Sequence, residues 1–164
     1  MPSIELQAVA EAIRTDREFW RALVDEVGRD RMDEPGPMGE WTFKDLTAHL
    51  AAWRNARIPM LEAIARGTPV PAPPWPADMA DDDAINAWFQ ERDSARSLDD
   101  VLDDYDRSFD GLARVLEAMP DDLARDPNAM PWARGSVIVD SDFTEHLHEE
   151  HLPSIRAWLD NRAG

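Results

Sequence analysis

Leu6, Val9, Ile13, Trp20, Leu23, Val24 and Val27 recur at helical spacing in the first thirty residues, with charged side chains such as Asp16, Arg17 and Glu26 expected on the outer face. Ser3 supplies an N-cap and Gly28 a stop, so the pattern predicts a helix over about 4–28. The breaker-rich run Asp33-Glu34-Pro35-Gly36-Pro37-Met38-Gly39 reads as a loop. Thr42 and Asp45 then open a second helix with a looser form of the capping box. Its apolar face carries Leu46, His49, Leu50, Trp53, Met60, Leu61 and Ile64 as far as Gly67. Pro59 inside that helix predicts a kink or break near residues 56–58.

The segment Thr68–Pro76 holds five prolines and predicts an extended, polyproline-like crossing rather than a domain boundary. Ile85, Trp88 and Phe89 predict a helix over about 82–96, and Ser97 with Asp100 restarts one that carries Val101, Leu102, Tyr105, Phe109, Leu112, Val115, Leu116 and Met119. Val137-Ile138-Val139 is a short apolar run whose type periodicity does not decide. Phe143, Leu147, Ile155, Trp158 and Leu159 mark the buried stripe of a last helix over about 141–161. Four main amphipathic helices and one long Pro-rich connection read as an all-α four-helix bundle, with residues 1–164 as one domain.

Composition narrows the chemistry. The formal net charge is −17, and Lys44 is the only lysine among 17 basic residues, which argues against nucleic acid or an anionic membrane as partner. The absence of cysteine removes thiolate ligands and a cysteine nucleophile, so a metal site here must use nitrogen and oxygen. No signal-like opening or membrane-length apolar run is present, and the expected address is cytoplasmic. No Gly-rich phosphate loop or Gly-x-Ser-x-Gly elbow occurs.

Of the 4 histidines, His146, His148 and His151 crowd into the last helix, and His49 lies on the inward face of the second. At about 100° per residue, His148 falls about 60° from His151 and can share a point with it, whereas His146 falls about 140° away. A π-bulge would reverse that relation. Glu150 lies one turn after His146, so that pair could work together instead. The expected ligand set is therefore His49, His148 and His151, with Glu150 or His146 as a proton-transfer partner. Any one of these histidines alone is more simply read as a hydrogen-bonded core residue; only their convergence suggests metal.

The run Gly39-Glu40-Trp41-Thr42-Phe43-Lys44-Asp45-Leu46-Thr47-Ala48-His49-Leu50-Ala51-Ala52-Trp53 resembles the helix-2 motif of the DinB-like superfamily. Residues 150 to 159, Glu-His-Leu-Pro-Ser-Ile-Arg-Ala-Trp-Leu, resemble its last helix, and the whole is most similar to the ClbS/DfsB-like branch. The resemblance implies an up-down-down-up four-helix bundle, usually a homodimer; the apolar helix faces carrying Trp88 and Phe89 are candidate dimer surfaces. It also implies a divalent ion, nickel or zinc, held by a helix-2 His and a His-x-x-x-His pair on the last helix. His49 and His151 match the outer ligands, but Leu147 stands where the middle ligand belongs, flanked by His146 and His148, so the site is either shifted in phase or degenerate. The implied activity is a metal-dependent hydrolase or thiol S-transferase acting on a small electrophilic molecule, with a low-molecular-weight thiol as a partner. The alternative it implies is a metal-free binding, sequestration or self-protection protein of the ClbS-like type; that branch includes a protein that hydrolyses a cyclopropane in a genotoxin without requiring the metal.

Overall fold

The computed structural model describes residues 2–161. It is mostly helical. Helix α1 spans Ile4–Val27, with the Ser3 side chain accepting from the Leu6 amide and the Gly28 amide closing onto Val24. Helix α2 spans Phe43–Arg66 and starts from a complete capping box: Thr42 accepts from the Asp45 amide while Asp45 accepts from the Thr42 amide. Helices α3 (Asp82–Asp93) and α4 (Leu98–Glu117) are capped by Asp81 and Ser97. A short α5 covers Asp121–Ala124, and α6 covers Leu152–Asp160, preceded by a π-helical segment at His146–His151.

α4 packs along both α1 and α2, and α3 lies on α2. Leu6, Ile13 and Leu23 from α1 meet Phe43, Leu46 and Leu61 from α2 and Tyr105, Phe109 and Leu112 from α4 in one buried cluster, which Ile155 and Trp158 of α6 join. Trp20 stacks between Phe43 and Tyr105 at centroid distances of 5.3 and 4.6 Å. A second buried cluster holds Ala52, Ala56, Ile85 and Phe89, with Trp53, Trp75 and Trp88 packed against it. Trp75 thereby ties the proline-rich crossing down, 5.2 Å from Trp53 and 5.8 Å from Phe89. Phe89, on one of the candidate dimer faces, is fully buried within the chain.

Several expectations change on contact with the structure. Pro59 does not break α2, which runs on through it to Arg66; the residue whose position loses a bond is absorbed within 24 helical residues. The predicted loop at 33–39 opens into a small antiparallel hairpin, β1 (Pro35–Gly36) and β2 (Gly39–Thr42), which pairs Pro35 with Thr42 and Gly36 with Gly39 and runs up to the start of α2. Helix α3 stops at Asp93, three residues early, and Val137–Val139 contributes to a single 3₁₀ turn at Ile138–Asp140. The last helix begins only near Glu145, and its first turns are π rather than α. Asp16, expected outside, is buried, because it stands three residues after Ile13 and four before Trp20 on the same stripe of α1.

Among the described residues, no helix is long and apolar enough to cross a membrane.

Candidate functional site

The capping box fixes where α2 begins and therefore which way His49 faces: inward, 2% exposed, with its ring centroid 5.4 Å from that of Trp41 in a T-shaped contact. Opposite it stands the π-helical segment. There the Leu152 amide closes onto the Leu147 carbonyl, five residues back. Pro153 supplies a physical cause, since it has no N–H to continue the α ladder and its ring crowds the carbonyl four residues earlier.

A five-residue repeat aligns His146 with His151 in place of the roughly 140° that a regular helix would put between them. His146 Nε2 lies 3.2 Å from His49 Nε2 and 3.2 Å from His151 Nε2. All three donor nitrogens fall within 4.8 Å of one another, and the three could hold a metal ion. Ligands about 2.05 Å from a tetrahedral ion stand about 3.3 Å apart, so the spacing suits one. The protonation states suit it as well. Burial holds His49 down to about 3 and His151 to about 4, with His146 adding to the depression of both. Both rings are therefore neutral near pH 7 and can offer lone pairs. Glu150 Oε2 lies 3.2 Å from His146 Nδ1, so a carboxylate stands behind the ring whose Nε2 faces the other two histidines. His49 Nδ1 is buried without a hydrogen-bond partner.

The structure does not bring His148 to this group. Its Nε2 pairs with Asp16 Oδ1 on α1, and its ring packs 4.8 Å from Phe19. The expected set of His49, His148 and His151 thus meets as His49, His146 and His151, and the π turn is the reason. Burial raises the Asp16 pKa above the ordinary carboxylate value, with His148 opposing that rise. Of the two expected proton-transfer groups, His146 stands inside the trio and Glu150 stands behind it.

A cleft of about 410 Å³ opens beside His146 and Glu150, bordered also by Asp16, Trp53, Arg54 and Arg57. That volume suits a small organic molecule. Neither arginine stands out in the sequence. The available signal is helical spacing, with Arg54 one turn after Leu50 and Arg57 one turn after Trp53, and isolated positive charges in an acidic chain do not announce a site. The inward position of Asp16 is readable from its spacing to Ile13 and Trp20.

Among known families, the model of the mycothiol maleylpyruvate isomerase N-terminal domain matches residues 13–149, taking in His49 and His146 and stopping two residues short of His151. No curated protein and no solved structure matches the chain.

Proposed function

The chain belongs to the mycothiol maleylpyruvate isomerase N-terminal domain family, an all-α DinB-like family, and from that premise we propose that it is a metal-dependent enzyme joining a low-molecular-weight thiol to a small electrophilic molecule. The observation that carries this reading is the meeting of three histidine Nε2 atoms, of which the one on His146 stands at the wall of a cleft. His49, His146 and His151 would hold a divalent ion, nickel or zinc. When bound, such an ion supplies Lewis acidity, lowering the pKa of a thiol or water and polarising a carbonyl. The family's name makes mycothiol the first thiol to test, and hydrolysis with water as nucleophile is the neighbouring reaction.

The chain's own residues supply the rest. Glu150 holds the His146 tautomer, and the buried position of His49 and His151 keeps both rings neutral. Trp53, Leu50 and Leu112 exclude water from one side of the cleft. Asp16, which lines the cleft and pairs with His148, is a further group placed to move a proton there. The reading includes a single-domain, up-down-down-up bundle acting as a cytoplasmic homodimer.

The test is mycothiol consumption with an α,β-unsaturated carbonyl compound by untagged protein loaded with nickel or zinc. Turnover that disappears on chelation and in His49→Ala supports the reading. Equal thiol consumption with and without metal, and in the variant, refutes it. A second reading keeps the same cleft but no metal, as in the ClbS/DfsB-like branch: a sequestering or self-protection protein. It is favoured by the aromatic and apolar lining of the cleft, and it predicts ligand-induced thermal stabilisation that chelator does not change and no turnover.

A further inference from the structure

The cleft beside His146 also contains two guanidinium groups, and the inference they support rests on the reading of that cleft as a substrate site. Arg54 and Arg57 lie three residues apart on α2, so they share a face. Many arginines of the acidic chain meet carboxylates, as where Arg17 grips Asp106 and Asp110; Arg107, Arg114 and Arg134 do not but are exposed to water, and Arg31 donates to backbone carbonyls. Arg54 and Arg57 make no direct ion pair among the described residues; Asp16 acts on Arg54 and Asp82 on Arg57 only at longer range.

What they touch instead is mostly aromatic. The Arg54 guanidinium lies 3.9 Å from the Phe109 ring centroid and 4.5 Å from that of Tyr105; its Nε donates to Ser108 Oγ at 2.8 Å. Its Nη2 is buried with no hydrogen-bond partner. Arg57 sits 4.8 Å from Trp132, 5.7 Å from Trp53 and 5.8 Å from Trp75, and donates only to the weak acceptor Met60 Sδ at 3.6 Å. Cation–π contact offsets part of the cost of removing these groups from water, but it leaves planar, forked donors without an acceptor. The acids on the same cleft are otherwise placed. Asp82 and Asp83 are exposed at the start of α3, Glu150 is exposed and engaged with His146, and Asp16 is engaged with His148.

We propose that this cleft binds a small monocarboxylate: its carboxylate on Arg54 and Arg57, its apolar body against Trp53 and Leu112, and its reacting end toward His146. A guanidinium fork matches a carboxylate in plane and spacing. The exposed Asp82, Asp83 and Glu150 repel a second negative charge, so the site selects a single one.

The experiment is calorimetric titration of the chelator-treated protein with benzoate, benzamide and terephthalate. Benzoate is expected to bind at least ten-fold tighter than its uncharged isostere benzamide, and tighter than the dianion terephthalate. Arg57→Gln should abolish the preference over benzamide, and Arg54→Gln should do the same. Arg57→Lys keeps the charge but loses the fork, and should fall between; it carries the test should the glutamine variant unfold. Equal affinity for benzoate and benzamide, an undiminished preference in folded Arg57→Gln, or no benzoate binding overturns the carboxylate site. Tighter terephthalate binding overturns its selection of one charge. Because no metal is present, failure here leaves the histidine trio standing, and failure of metal binding leaves this titration unaffected.

Discussion

His146 Nε2 and His151 Nε2 lie 3.2 Å apart although five residues separate them, a meeting that a regular α-helix forbids and the π turn before Pro153 permits. The candidate metal site is thus built on a local irregularity of the backbone, and the carboxylate of Glu150 stands 3.2 Å behind its second imidazole.

That placement is testable apart from coordination. Glu150→Gln removes the acceptor's charge from His146 Nδ1 without touching any of the three Nε2 atoms. Zinc affinity, measured by competition with a chromophoric chelator, should fall roughly 10- to 100-fold, as when an outer hydrogen-bond partner of a ligand is lost. Unchanged affinity would mean that Glu150 does not set the His146 tautomer.

The metal-free protein should be sensitive to mild acid. His49 and His151 titrate at about 3 and about 4 when folded, below the ordinary 6.5, so the unfolded chain binds protons that the folded one refuses. Their contribution to stability is complete above about pH 6.5 and is lost as pH falls from there toward 4 and then 3. Each should remove up to roughly 1.4 kcal/mol per pH unit within that window. Urea unfolding of chelated wild type at pH 7.5, 6 and 5, against His49→Gln/His151→Gln, isolates the effect. Parallel pH dependences would contradict it.

Gly36 should be intolerant of a side chain. Its φ is +133°, and a Cβ there would lie 2.6 Å from Trp158 Cδ1, so the hairpin rests directly on the last helix. Gly36→Ala should destabilise the fold by about 1–3 kcal/mol through overpacking and backbone strain, read from the denaturation midpoint. A midpoint equal to wild type would show that the hairpin can lift away from Trp158.

Thr42→Ala should cost about 1 kcal/mol by opening the capping box at the start of α2. Thermal unfolding checks it, and a neutral result would show that the α2 start is held by core packing of Phe43 alone.

The long helices are legible in the sequence because their caps and their apolar period agree: Ser3, Thr42 and Ser97 each do cap a helix, and the stripes of α1, α2 and α4 are the buried ones. The convergence of His49 with the last helix is legible for the same reason. The structure brings His146 rather than His148 to His49 and His151, because the spacing argument assumes about 100° per residue throughout and a single π segment resets the phase of every side chain on it. Asp16 is misplaced when a carboxylate is assumed to face water, although its spacing to Ile13 and Trp20 points inward. For Arg54 and Arg57 the sequence offers only helical spacing; the fold is needed to show that no carboxylate pairs with them directly.

The central claim is that His146, not His148, completes the metal site, and nickel or zinc titration of untagged His146→Ala and His148→Ala tests it most directly. The account predicts one ion per chain in wild type, at least a hundred-fold loss of affinity in His146→Ala, and affinity within a few-fold of wild type in His148→Ala. The reverse pattern, or a wild-type protein that takes up neither metal, would contradict it.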